Sequence, residues 1–147
     1  MKYFIVLSSL IFLTYGLSPE ATEAIKKYAK EIGEQCKTEL GTTDEDIAPI
    51  LRHQPPTTEK GKCFLACIHK KTGCLDANGK INKTGVLAAI EKLKEIDQDY
   101  FGKIKQVVEI CMGKVNDLSN ECETAVAMFE CGEIEKDKVG LPKIDFH

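Results

Sequence analysis

Apolar positions along the chain return at spacings of three and four in six successive stretches, the period of an amphipathic helix rather than the alternation of a strand. The first stretch opens at Ser18-Pro19, an N-cap followed by proline at the first helical position. It carries Ala21, Ile25, Tyr28, Ile32 and Cys36, which predicts a helix to about Lys37. Thr43, with Asp46 three residues on, reads as a capping box for a short helix through Ile47, Ile50 and Leu51, ended by Pro55-Pro56. Thr57 or Thr58 caps a third helix with Cys63, Phe64, Cys67 and Ile68, closed by Gly73. Beyond the polar turn Asp76-Ala77-Asn78-Gly79, a fourth helix from about Lys83 shows Val86, Leu87, Ile90 and Leu93, and a fifth shows Phe101, Ile104, Val108, Cys111, Met112 and Val115. Asn116 to Asn120 breaks the pattern. The sixth helix, Glu121 to about Glu133, is apolar on most sides at Ala125, Val126, Ala127, Met128 and Phe129, which marks it as central and touched by several neighbours. No strand pattern of useful length, internal repeat or low-complexity linker interrupts this, so the expected fold is a single all-α domain with a non-helical tail over 137–147.

The N-terminal apolar run, Tyr3 to Tyr15, is shorter than the roughly 20 residues a spanning helix needs. It reads as a secretory signal: Lys2 supplies the positive start, Phe4 to Leu13 the apolar stretch, and Thr14-Tyr15-Gly16 a cut after Gly16. The expected division is therefore a signal at 1–16 and a secreted helical domain at 17–147. A retained anchor helix is the competing reading, and it lacks stop-transfer charges. With 20 Lys+Arg against 23 Asp+Glu the chain carries −3, and removing Lys2 leaves 19 against 23, or −4. A pI near 5.7 and the lack of a basic cluster interleaved with aromatics exclude nucleic acid as a partner and argue against a membrane-active basic surface.

Secretion turns the seven cysteines into candidate disulfides rather than metal ligands or redox catalysts. Cys63, Cys67 and His69 lie close enough to suggest zinc, but no second CxxC-like pair accompanies them. No histidine sits beside a Ser or Cys in a strand-to-helix elbow, so no catalytic residue is expected. Aligning Gly79 with the glycine of a calcium loop places Cys74 first and Gly85 twelfth, where Glu is required, so that segment is a turn. No metal and no cofactor is expected. His69, beside Lys70 and Lys71, is expected to be exposed, and His53 lies in the loop before Pro55-Pro56. Asn82-Lys83-Thr84 is both a glycosylation sequon and an unmodified helix N-cap, and both readings stand.

Setting Cys74 aside, the cysteines follow C-x26-C-x3-C-x43-C-x10-C-x8-C. Cys63 and Cys67, one helical turn apart, would let one helix be stapled to two others, but six cysteines allow 15 pairings and the residues alone do not choose. Six cysteines with x3 between the second and third and x8 between the fifth and sixth, on a secreted, acidic, helical chain, resemble the insect odorant-binding proteins, the pheromone-binding and general odorant-binding family. The resemblance covers the mature chain from the first helix to the tail. It implies the pairs Cys36–Cys67, Cys63–Cys122 and Cys111–Cys131, six helices stapled around an internal hydrophobic cavity, and no reaction. Cys74 departs from the pattern and reads as a free thiol or as one half of an intermolecular bridge.

The apolar stripes then suggest a lining of Phe64, Leu87, Ile90, Leu93, Ile104, Val108, Met112, Val126 and Phe129, each equally able to be ordinary core. Tyr28 is the candidate polar handle, and Met112 and Met128 suit ligands of varied shape. Val139, Leu141, Ile144 and Phe146 make an unusually apolar tail, which reads either as a lid bringing Ile144 and Phe146 to the ligand or as a surface packing segment. The function so implied is a secreted carrier of small hydrophobic odorants or pheromones in extracellular lymph. Its partners would be that ligand, a membrane chemoreceptor and, weakly, a second copy of the chain. A non-olfactory lipophile carrier in haemolymph, saliva or a gland secretion is the alternative.

Overall fold

Every long helix begins where a side-chain oxygen replaces the missing acceptor of its first turn. In the computed structural model residues 17–147 are described, and the signal expected at 1–16 lies outside them. Helix α1, Pro19–Leu40, starts with Ser18 accepting from the Ala21 N–H at 3.1 Å and stops at Gly41, left-handed at φ +60°. It runs one turn past the end of its apolar stripe because Gly41, not hydrophobicity, ends it. Helix α2, Asp44–Leu51, has the reciprocal Thr43–Asp46 capping box, and Asp46 also accepts from Thr58 Oγ at 2.7 Å. One carboxylate thereby ties the start of α2 to the start of α3, Glu59–Lys71.

The remaining helices are α4, Lys83–Glu91; the single turn α5, Leu93–Ile96; α6, Gln98–Lys114; and α7, Glu121–Lys138. Asn82, Asp97 and Asn120 cap α4, α6 and α7. Two boundaries differ from the sequence reading. Leu93 falls in the separate turn α5 rather than in α4. Helix α7 continues to Lys138, so Asp137 and Lys138 are helical and the tail starts at Val139. Beyond Glu133 that helix is held by polar contacts that an apolar stripe does not reveal: Lys136 pairs with Glu133 at 2.5 Å and Lys138 with Glu135 at 3.0 Å. Among the described residues the only β feature is a bridge between Leu75 and Ile81, closing a turn in which Asp76 Oδ1 accepts from the N–H groups of Asn78 and Lys80.

Helices α3 and α7 form the central pair; α1 and α2 pack on α3, α6 packs on α7, and α4 and α5 pack on α6. Three disulfides join this succession: Cys36–Cys67 links α1 to α3, Cys63–Cys122 links α3 to α7, and Cys111–Cys131 links α6 to α7. The two ends of the succession meet where Lys92 Nζ lies 5.9 Å above the Tyr28 ring, so the helices curve into a ring. Two small cores fill its joints. Ile32, Cys36, Ile47 and Phe64 pack between α1, α2 and α3, while Leu65, Ala66, Leu75 and Ala125 pack between α3 and α7. No helix among the described residues is long and apolar enough to cross a membrane.

The joint between α2 and α3 depends on Gly61. A β-carbon there would stand 2.7 Å from the Asp46 carbonyl oxygen and 2.9 Å from Pro56 Cβ. Alanine would favour an isolated helix by about 1 kcal/mol, yet here Gly61→Ala should destabilise the protein by about 1–3 kcal/mol through overpacking. The urea midpoint reads this directly. A midpoint that stays or rises would show that α2 and α3 do not approach so closely.

Candidate functional site: the interior of the helix ring

Helix α3 is tied down along one side. Cys63 and Cys67 take its disulfides, while Lys71 reaches Glu39 at 2.7 Å and Lys70 pairs with Glu121. Helical geometry places Leu65, Ile68, His69 and Thr72 on the other side. On α6, Val107 is buried and Cys111 is bonded towards α7, and Ile104, Val108 and Met112 follow along the adjoining face, each half-buried. On α7, Ala125 is fully buried, with Val126, Met128 and Phe129 half-buried around the Leu65–Ala125 core. Ile90 on α4 and Leu93 on α5 are half-buried on elements that pack against α6. The side chains Ile104, Val108 and Met112 of α6 and Val126, Met128 and Phe129 of α7 are therefore apolar and incompletely covered.

The remaining sequence candidates fall elsewhere. Phe64 is 6% exposed, inside the α1–α2–α3 core. Tyr28 at 48% and Leu87 at 38% are exposed, Tyr28 at the edge where α1 meets the α4–α5 link. Ile144 is buried and Phe146 is exposed, both in the tail.

His69 reverses its sequence expectation. Lys70 and Lys71 are its neighbours in sequence but project to the ion-paired outer side, whereas His69 shares the inward face with Leu65 and Thr72. Burial alone pushes its imidazole down to about 4. By accessible surface the residue as a whole is half-buried. Close by, Thr72 Oγ bonds to the Ile68 and His69 carbonyls and contacts Cys74 Sγ, and burial pushes the Cys74 thiol up, which keeps it protonated at neutral pH. Cys63 and Cys67, the other members of the zinc-like triplet, are both in disulfides and offer no thiolate.

The tail occupies a different place. His53, left-handed at φ +60°, sets Nε2 at 3.0 Å from the Ile144 carbonyl and Nδ1 at 3.3 Å from Glu133 Oε2, with its ring 6.2 Å from Phe146. The tail is thus strapped across the ends of α2 and α7. A notch of about 240 Å³ remains there, lined by Leu51, Arg52, His53, Lys143, Asp145 and His147. Its charged lining contrasts with the apolar inner walls. Nothing in the sequence around His53 marks it as the strap's anchor, because both of its partners lie far along the chain.

Comparison with known proteins follows this geometry. The model of the PBP/GOBP family matches residues 18–134. The chain is 34% identical over 141 residues to general odorant-binding protein 28a of Drosophila melanogaster, covering 93% of this chain and 96% of that one. Its fold is similar to the solved structure of the odorant-binding protein dmelOBP28a of the same fly, with a TM-score of 0.67 and 31% identity over 83% of this chain and 99% of that one. It is also similar to odorant binding protein 7 of Anopheles gambiae, solved with four disulfide bridges and in complex with an azo compound, at a TM-score of 0.57 and 27% identity over 78% and 87% of the two chains.

The depressed His69 predicts a pH dependence of stability. Its native value of about 4 lies below the ordinary 6.5, so the unfolded chain binds the proton first as pH falls. The stability that a neutral His69 contributes is therefore present above 6.5 and is lost progressively between 6.5 and 4, to a limit of about 3 kcal/mol. Chemical denaturation of wild type and His69→Phe at pH 7, 5.5 and 4 should show the wild type losing more stability on acidification. Parallel curves would contradict the buried neutral imidazole.

Proposed function

The chain belongs to the PBP/GOBP family, and from that premise we propose that it is a secreted carrier of small hydrophobic molecules, odorants or pheromones, which it moves through extracellular fluid unaltered. The observation that carries this reading is the run of half-buried apolar side chains along the inner walls of α6 and α7, where Ile104, Val108, Met112, Val126 and Phe129 keep surface that no neighbour covers. A ligand placed against them gains roughly 25 cal/mol for each Å² of apolar surface removed from water. The fly relatives, named as odorant-binding proteins, support odorants over a non-olfactory cargo. The mosquito structure, with its azo compound, supports a small organic ligand.

The finer parts of the reading follow from the same premise. Residues 1–16 are the signal removed on secretion, and 17–147 are the working domain. Ile90 and Leu93 extend the lining, Tyr28 and Leu87 stand at its entrance, and Phe64 supports the wall from the core behind it. Ile144 and Phe146 touch the ligand only where the tail leaves its strap. Transport without catalysis suits an interior built from hydrocarbon. A membrane chemoreceptor takes delivery. Self-association is weak, since the exposed apolar residues Leu40, Leu118 and Ile134 lie on separate elements.

The test uses the absence of tryptophan from the chain. Val108→Trp places one indole in the interior and fills it. Displacement of a neutral hydrophobic probe by a long-chain alcohol should occur at micromolar levels in the wild type, roughly −8 kcal/mol. In the variant probe affinity should fall at least about tenfold, or 1.4 kcal/mol, with helical circular dichroism retained. Unchanged affinity would place the ligand elsewhere.

A further inference from the structure

The side chain of Asn82 has two polar atoms, and the fold uses only one of them. As the N-cap of α4, Asn82 accepts the Gly85 N–H on Oδ1 at 3.0 Å. Only the oxygen of a side-chain amide can accept, so the cap fixes which way the amide is turned and leaves Nδ2 outside the capping bond. Among the described residues Nδ2 donates to no protein acceptor, yet it is not sealed in as Thr42 Oγ1 and Glu133 Oε2 are, so it reaches solvent. Lys83 and Thr84, which follow it, are exposed. We propose that Asn82 is the attachment site of an N-linked glycan, carried on Nδ2 while Oδ1 continues to cap α4. This rests on the secreted reading of the chain and goes beyond it by assigning a modification.

Sequence and fold agree on this position. Asn82-Lys83-Thr84 is the chain's single Asn-x-Ser/Thr sequence, because Asn78, Asn116 and Asn120 are followed two places on by Lys80, Leu118 and Cys122. The Asn82 N–H donates to the Cys74 carbonyl at 2.9 Å and its carbonyl accepts from the Val86 N–H at 2.9 Å, so the amide stands at a fixed corner where the turn after α3 meets α4. Gly85 keeps one flank of the amide clear. A β-carbon there would stand 2.7 Å from Nδ2 and collide with the Gly73 carbonyl oxygen. In the transfer, Nδ2 bonds to the anomeric carbon of a lipid-diphosphate-linked oligosaccharide, the donor class of the secretory route. The bond from that carbon to the phosphate oxygen breaks, the diphosphate leaves with the electron pair, and one amide proton is released. Nothing is oxidised or reduced. The side chain keeps its carbonyl oxygen and one N–H, so capping and glycosylation are compatible rather than alternative roles.

The test expresses the full chain in insect cells and analyses the protein in the medium. The wild type should migrate more slowly than Thr84→Ala, and peptide N-glycosidase should abolish the difference. Enzymatic release in ¹⁸O water should leave the isotope on residue 82 as aspartate. Two further variants separate the glycan from the fold. Lys83→Pro blocks the sequon while placing proline at the first helical position, which tolerates it, and should lose the modification. Thr84→Ser should keep it. The Gly85 amide proton should be equally protected from exchange in the glycosylated wild type and in Thr84→Ala, since both retain the cap. An unmodified wild type in the medium overturns the proposal, and so does a mobility shift that survives Thr84→Ala. Loss of Gly85 protection in the glycosylated protein overturns the shared use of the amide. A wild type that never reaches the medium overturns the secreted reading itself.

Discussion

Two cysteines one turn apart on the outer side of α3 set the terms for the rest of the molecule. Cys67 bonds to Cys36 on α1 and Cys63 to Cys122 on α7, with Cα separations of 5.8 and 4.5 Å. These bonds hold α3 alongside the packing of Leu65 against Ala125, so the fold does not rest on packing alone. Space left unfilled costs about 24 cal/mol per Å³ in lost contacts, and a cross-link over loops of this length offsets about 3–4 kcal/mol in the chain-entropy model. The third disulfide, Cys111–Cys131, does for the α6–α7 corner what the first two do for α3.

The ring so formed has two chemically distinct places. On α6 and α7 the half-buried side chains Ile104, Val108, Met112, Val126 and Phe129 are hydrocarbon. Outside, where α2 and α7 end, His53 joins the Ile144 carbonyl and Glu133 in a charged corner under the tail. The tail buries Leu141 and Ile144 without joining either core cluster, so its packing is separable from that of the helices.

Helix period and capping chemistry were legible from residues alone. Ser18, Thr43, Thr58 and Asn82 all sit at helix starts, and the apolar surface of the last helix marked α7 as central, whereas the caps Asp97 and Asn120 are seen only in the structure. Where apolar spacing ran out, so did the reading. The last turn of α7 is built from Lys–Glu pairs, and the turn α5 interrupts an otherwise continuous stripe at Leu93. Disulfide pairing was not decided by the residues and entered through family resemblance. Periodicity could not separate Phe64, packed into a closed core, from Val108, which keeps free surface, because both lie on apolar faces. His69 was read from its neighbours in sequence, and on a helix adjacent residues point 100° apart.

The central claim is that a neutral hydrophobic molecule sits inside the disulfide-held ring rather than in the notch under the tail. Isotope-filtered nuclear Overhauser spectra of ¹³C-labelled protein with unlabelled dodecanol test it most directly. Contacts from the alkyl chain to the methyl groups of Ile104, Val108, Met112 and Val126, one ligand to a chain, are the predicted result. Contacts confined to Leu51, Lys143 and the other residues around His53, or none at a saturating concentration, would contradict it.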